Sequence, residues 1–314
     1  MQERIVFVFP GQGSQYVGMG KELAEKFPVA AATLEEAEGI LGRPLRKLCF
    51  EGPEEELALT ENTQPAILAV EVACLRVLEE QGVRPGAAAG HSLGEYGALV
   101  AAGSLEFGDA LRAVARRGEL MARACRPGRG GMAAILGLPA AAVEEICRRV
   151  RKGLAEPANY NAPGQVVIAG DREGLSEAEI LAKEAGARKV IPLNVSGPFH
   201  SSLMQPAAEG LKEVLAAMRL APPQIPVVAN VTADYYRAEE TEIRELLVEQ
   251  VVRPVRWEES VKKLVADGYR LFVEVGPGSV LSGLIRRIAP EAVVFRVENS
   301  STLAQTLAQL KEGR

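Results

Sequence analysis

Ala87-Ala88-Ala89-Gly90-His91-Ser92-Leu93-Gly94-Glu95-Tyr96 carries the clearest fold signal in the chain. A short Ala-rich run from Val83 ends at Gly90, and Leu93 to Ala102 has a helical composition. The chain therefore passes from a strand, through glycines, straight into a helix, which is the grammar of α/β proteins. Gly90, Ser92 and Gly94 also satisfy G-x-S-x-G in the strand–turn–helix context that gives the pattern its meaning. A serine on so sharp a turn needs neighbours without side chains. The turn lifts the Ser92 hydroxyl out of the sheet, toward a helix N-terminus whose free N–H groups can hold a developing oxyanion. A Gly-rich turn with a capping serine is the plain alternative.

Upstream, Ile5 to Phe9 is a β-rich run that stops at Pro10-Gly11 and reads as a buried strand. Helical stretches follow around Gly20–Phe27 and Ala30–Leu41. A third is expected to begin at Pro65, which suits a first helical turn, and to run to Glu80, with Ile67, Val70, Cys74 and Val77 on one face. Downstream the texture changes. Pro127 to Gly131 reads as a flexible linker. Then come a strand (Met132–Leu138), a helix (Ala140–Val150), a strand pair around Ala158 and Val166–Ala169, a helix (Ser176–Ala185) and a strand (Lys189–Val195). That β-α-β-β-α-β order is the ferredoxin-like pattern. The α/β pattern then resumes: a helix over Ser202–Met218, a strand at Val227–Asn230, helices near Ile243–Val251 and Glu258–Asp267, strands at Leu271–Val275 and Ala292–Val297, and a last helix from Thr302. The expected fold is α/β: a large α/β-hydrolase-like subdomain with a parallel core sheet (residues 1–127 and 197–314) and an inserted ferredoxin-like subdomain (residues 128–196).

Composition narrows the function. The 314 residues are 47% hydrophobic and 25% charged, the ordinary mix of a globular protein, which excludes disorder, collagen and coiled coil. The formal net charge of −5 argues against general binding to nucleic acid or anionic membrane. The most apolar stretch, Met132 to Val143, is too short to span a bilayer and is broken by Gly137 and Pro139. Ile5–Phe9 is too short for the core of a signal peptide. The four cysteines form no C-x-x-C motif and read as reduced, buried cytosolic thiols. With only His91 and His200, a multi-histidine metal centre is not expected.

If Ser92 is a nucleophile it needs a base to take its proton. His91 adjoins Ser92, so the turn should aim the two side chains apart. His200, in a loop between a predicted strand and a predicted helix, is the candidate; its bland reading is a packing or capping histidine. No carboxylate stands in a convincing strand-end loop between Ser92 and His200, which disfavours a plain esterase. In the helix Phe107–Cys125, Ala110, Val114, Arg117 and Met121 share one face, while Arg116 lies on a polar stripe. Arg117 on an apolar face can be a structural ion pair, a snorkelling side chain, or a fork for a substrate carboxylate.

A set of motifs spans nearly the whole chain: Phe9-Pro10-Gly11-Gln12-Gly13-Ser14-Gln15, Thr63-Gln64-Pro65-Ala66, Gly90 to Tyr96, Arg117-Gly118, Asn161-Ala162-Pro163-Gly164-Gln165, Gly197-Pro198-Phe199-His200, Pro254-Val255-Arg256-Trp257 and Glu274-Val275-Gly276-Pro277-Gly278. In this order it resembles the malonyl-CoA:acyl carrier protein transacylases of fatty acid synthesis and the related acyltransferase domains of polyketide synthases. The resemblance implies ping-pong acyl transfer through a malonyl ester on Ser92, with His200 as base and the Gln250 backbone carbonyl orienting it. It implies backbone N–H groups of Gln12 and Leu93 as the oxyanion hole. It makes Arg117 the partner of the malonyl carboxylate, with Gln64, Met121, Asn161 and Phe199 lining the pocket. Phe199 suits malonyl over bulkier methylmalonyl. The loop reads Gly-Pro-Phe-His where many relatives carry a serine before the histidine. Expected partners are malonyl-CoA, a coenzyme A thioester used as substrate, and phosphopantetheinylated acyl carrier protein. No bound cofactor, metal, nucleic acid or membrane is expected, and the protein should be a cytoplasmic monomer. Carrier proteins are acidic, so Arg148 to Lys152 and Arg286-Arg287 are docking candidates, although each also reads as a solvated helix face. A serine thioesterase or esterase, a trans-acting polyketide acyltransferase and a non-catalytic carrier-binding relative are the alternatives.

Overall fold

A computed structural model describes residues 4–125 and 128–312. Five strands, β1 (Ile5–Phe9), β2 (Ala87–Gly90), β7 (Val227–Val228), β8 (Leu271–Val275) and β9 (Val293–Val297), build a sheet in the order β7-β2-β1-β8-β9. Every pairing in it is parallel. Four others, β3 (Gly130–Leu136), β4 (Ala155–Ala162), β5 (Gln165–Asp171) and β6 (Lys189–Pro192), build a separate antiparallel sheet in the order β4-β5-β3-β6. Helices Ala140–Arg149 and Arg172–Glu184 connect its strands, giving β-α-β-β-α-β. The parallel sheet draws strands from both sides of this segment in sequence.

Parallel strands are buried on both faces, so they read as continuous apolar runs. In β1 the alternation sends Ile5, Phe7 and Phe9 into one core and Val6 and Val8 into another. The first core takes helices Thr60–Glu80 and Phe107–Ala124; the second takes Trp257–Ala266 and Val280–Ile288. The antiparallel sheet has its own core around Ile135, Val143, Ile146 and Ile168.

Several expectations shift. Pro127 lies outside the described residues, and Gly130-Gly131 are already strand rather than linker, paired with Asp171 and Gly170. Pro65 sits inside the helix Thr60–Glu80 and not in its first turn. A proline there leaves the Glu61 carbonyl without its i+4 donor, and Arg43 Nη2 supplies one at 3.0 Å. The Ser202–Met218 helix divides into a 3₁₀ turn (Ser202–Met204) and an α-helix (Gln205–Ala216) with Pro206, a favoured first-turn residue, in its second position. Helices Leu45–Glu51, Glu54–Leu57 and Val280–Ile288 were not expected. The last starts where Glu274, from β8, accepts the backbone N–H groups of Leu281 (3.0 Å) and Ser282 (2.8 Å). No disulfide forms; Cys49 and Cys74 are buried, whereas Cys125 and Cys147 are only half-buried. Among the described residues, no helix is long and apolar enough to cross a membrane, and no group of three or more His, Cys, Asp or Glu is placed to hold a metal ion.

Candidate active site

The turn between β2 and helix Gly94–Ala101 is as tight as the motif demands. A Cβ on Gly90 would stand 1.9 Å from the Gly94 carbonyl group, and one on Gly94 would stand 2.0 Å from the Phe9 carbonyl oxygen. Only glycine fits either position. Ser92 between them has φ 54°, a left-handed conformation rare for a side-chain-bearing residue and frequent at functional sites. Asn230, just past the end of β7, ties the turn down: its Oδ1 accepts from the Ser92 backbone N–H at 2.7 Å and its Nδ2 donates to the Gly90 carbonyl at 2.6 Å.

Ser92 Oγ lies 2.7 Å from His200 Nε2. His200 Nδ1 lies 2.7 Å from the Gln250 backbone oxygen, which can only accept. The ring proton is therefore on Nδ1, leaving the Nε2 lone pair toward the serine. Burial, reinforced by the nearby Arg117 charge, pushes the His200 pKa down to about 3, so the ring is neutral at pH 7. His91 points elsewhere, to Asn161 Oδ1 at 2.8 Å, and burial lowers its pKa too.

Arg117 is 1% exposed. Its Nη1 donates to Gln64 Oε1 at 2.6 Å and its Nη2 to Gln250 Oε1 at 2.8 Å and Ser92 Oγ at 3.1 Å. Its Nε has no partner among the described residues, and no carboxylate stands within ion-pair distance of it. Arg116, by contrast, pairs at the surface with Glu119 at 2.6 Å. A guanidinium in such a place, beside a hydroxyl and hydrogen-bonded to neutral amides, has the chemistry to receive an anion in the cavity.

A cavity opens over these groups, lined by Gln12, Gln64, Ser92, Leu93, Arg117, Met121, Phe199 and His200 from the expected set. The backbone N–H groups of Gln12 and Leu93 have no protein acceptor among the described residues, whereas that of Ser92 is already engaged by Asn230. Gly11 permits the approach of the Gln12 loop: a Cβ there would lie 2.6 Å from the His91 carbonyl oxygen. Asn161 does not line the cavity. It falls at a register shift between Tyr160 and Ala162, where a bulge re-aims a side chain, and it sits behind His91. Asn159 and Met132 face the cavity from the antiparallel sheet instead, with Leu193 and Val195 from the segment just after β6. Gln250 is not among the residues that line the cavity; it contacts His200 and Arg117 instead.

The sequence reading missed a buried carboxylate. Glu95, 1% exposed, accepts from Tyr236 Oη at 2.5 Å, from the Asn230 backbone at 3.1 Å and from Gln250 Nε2. Burial pushes its pKa up to about 7 against these hydrogen bonds and the Arg117 charge. It lies within the quoted Gly90–Tyr96 motif, but in the first turn of a helix and not in the strand-end loop where an orienting acid is expected.

A parallel sheet with a strained serine turn, facing an antiparallel sheet across a shared cavity, defines an α/β acyltransferase. The chain belongs to the acyl transferase domain family, whose model matches residues 6–303. It is 49% identical over 311 residues to the malonyl CoA-acyl carrier protein transacylase of Bacillus subtilis, covering 98% of each chain. It is 41% identical to the same organism's polyketide biosynthesis malonyl CoA-acyl carrier protein transacylase PksC, covering 92% of this chain and 98% of that one. Among solved structures it resembles an acyl carrier protein S-malonyltransferase of Vibrio cholerae, with TM-score 0.94, 43% identity and coverage of 96% and 99%. It also resembles a malonyl-transacylase solved in complex with its type II polyketide acyl carrier protein, with TM-score 0.95, 44% identity and coverage of 98% and 99%.

Proposed function

We propose that this protein transfers the malonyl group of malonyl-CoA to the phosphopantetheine thiol of acyl carrier protein, through a malonyl ester on Ser92. His200 Nε2 takes the Ser92 proton as Oγ attacks the thioester carbonyl. The N–H groups of Gln12 and Leu93 receive the oxyanion; losing one such donor typically costs about 10²–10³ in rate. Collapse expels the CoA thiolate, which takes the proton back from the imidazolium. The carrier thiol then gives its proton to His200 and attacks the ester carbonyl. Collapse breaks the bond to Ser92 Oγ, which takes the proton back from the imidazolium, and the malonyl group is left on the carrier sulfur. The Gln250 carbonyl keeps the ring in the productive tautomer, the task an aspartate performs in other serine enzymes.

The observation that carries this reading is Arg117: a buried guanidinium without a carboxylate partner among the described residues, 3.1 Å from Ser92 Oγ. A malonyl group on Ser92 brings that carboxylate; an acetyl group leaves the guanidinium unpaired. A site built for a polar group rejects substrates lacking it by about 10⁴ or more. Phe199 lines the same cavity and favours malonyl over a branched diacid. Residues 128–196 act as an inserted subdomain that supplies the opposite wall. The protein works in the cytoplasm as a monomer, with no resident cofactor, and feeds fatty acid synthesis.

Intact-mass spectrometry after exposure to malonyl-CoA tests the reading. One malonyl unit on Ser92, stable until carrier protein is added, is the expected result. Rapid release of malonate without acceptor makes the protein a hydrolase; no adduct makes it a non-catalytic relative. Comparing fatty acid with polyketide carrier proteins as acceptors separates the two pathways.

A further inference from the structure

Glu95 is the second residue of helix Gly94–Ala101, three residues after Ser92, with no cation at ion-pair distance among the described residues. Its Oε1 is taken by Tyr236 and the Asn230 backbone; its Oε2 accepts from Gln250 Nε2. The same Nε2 donates to the Ser92 carbonyl at 2.9 Å, and the other end of the amide, Oε1, accepts from Arg117 Nη2 at 2.8 Å. A carboxylate and a peptide carbonyl can only accept, and a guanidinium can only donate. With Glu95 ionised, one orientation of the amide satisfies all three neighbours. Turned over, the amide would set oxygen against two acceptors and NH₂ against the guanidinium.

We propose that Glu95 is a positioning residue for substrate selection: it fixes the Gln250 amide, which with Gln64 holds the Arg117 fork toward Ser92. The carboxylate also balances the Arg117 charge through a single intervening amide until a substrate carboxylate arrives. This inference rests on Arg117 as the receiver of that carboxylate. His200 is held by the main-chain oxygen of Gln250, which turning the side-chain amide leaves in place. Loss of Glu95 should therefore fall on the choice of acyl group and spare the Ser–His pair.

Glu95→Gln tests this, because its amide nitrogen can donate to a turned-over Gln250. The measurement is the rate of Ser92 acylation by malonyl-CoA and by acetyl-CoA, for wild type, Glu95→Gln, Glu95→Asp and Arg117→Ala. The expected result is a malonyl-to-acetyl preference about ten- to a hundred-fold lower in Glu95→Gln, the range for losing a charge-assisted hydrogen bond. The fall should lie in KM for malonyl-CoA, with acetylation changed by no more than a few-fold. Glu95→Asp keeps the charge one methylene further back and should lose less, yet measurably; it carries the test alone if Glu95→Gln does not fold. A wild-type preference in the folded Glu95 variants, or equal losses of both acylations, overturns the proposal. Arg117→Ala separates the two layers. A wild-type preference there sinks the Arg117 assignment, whereas its collapse there with no change at Glu95 sinks only the role given to Glu95.

Discussion

At the scale of single residues, charge placement does most of the work. Arg117→Ala should lower malonyl acylation of Ser92 by about 10³-fold or more while acetyl acylation changes by less than ten-fold, in line with the discrimination of sites built around one polar contact. Stopped-time mass spectrometry with both thioesters reads the ratio, and equal losses would make Arg117 structural. His200 gives a second, thermodynamic prediction. Its folded pKa, about 3, lies below the ordinary imidazole value of about 6.5, so the native state refuses a proton that the unfolded chain accepts. The stabilisation is full above about pH 6.5 and is lost as pH falls toward 3. His200→Asn should therefore remove up to one proton's worth of slope from stability against pH across that window, measured by urea midpoints at a series of pH values. A variant curve parallel to wild type would refute it. With acetyl-CoA, whose transfer does not draw on Glu95 or Arg117, the same ring should keep Ser92 acylation flat with pH well below about 6.5. Ser92, His200 and Arg117 were legible because each is odd in its local context: a serine between glycines, one of only two histidines, an arginine on an apolar face. Glu95 was not, because its meaning depends on which way a glutamine 155 positions away is turned.

At the scale of elements, the β2–helix turn is where sequence and structure agree most closely, since sterics leave the least choice. Gly→Ala inside a helix normally stabilises by about 1 kcal/mol. At Gly94 the sign reverses, because a methyl group would lie 2.0 Å from the Phe9 oxygen and force β1 away from the turn. Gly94→Ala should cost about 3 kcal/mol or more, within the range of severe backbone strain, and should abolish the Ser92 adduct even in protein that remains folded. Thermal unfolding with a parallel adduct assay checks both. Elsewhere, local rules gave way to long-range partners. Pro65 looked like a helix start, yet Arg43 supplies the missing donor and the helix begins at Thr60. Helix Val280–Ile288 follows Ser279 without a side-chain cap of its own; its cap is Glu274, on a neighbouring strand, which no local pattern reveals.

At the scale of the whole molecule, the cavity has one wall from each sheet, so the ties across the seam are part of the site. Three stand out. The outer edge of β4 is bridged to Val255, with Tyr160 N donating to Val255 O and Val255 N to Ala158 O, each at 2.9 Å. Arg287 donates to Pro163 O at 3.0 Å and to Gln165 in the β4–β5 hairpin, which ties down one of the two basic clusters considered for carrier docking. Glu156 of β4 accepts from Ser202 N at 2.7 Å and Ser202 Oγ at 3.1 Å, two residues beyond the base. The last tie bears on chemistry. His200 has φ 59°, a conformation that persists only where its surroundings over-determine it. Removing the carboxylate frees the 3₁₀ turn that follows the histidine and lets the ring drift from Ser92. Ser202 is exposed and Glu156 only half-buried, so Glu156→Ala should cost about 1 kcal/mol of stability. Catalysis is more sensitive, since a misplacement of about 1 Å can cost up to 10²-fold. The expected outcome is a kcat lowered about three- to thirty-fold with KM for malonyl-CoA within two-fold, because Arg117 is anchored on the other sheet's helices and does not move. Steady-state transfer to carrier protein, alongside a thermal melt, measures both quantities. A large fall in melting temperature with unchanged kcat would show that the tie serves the fold alone.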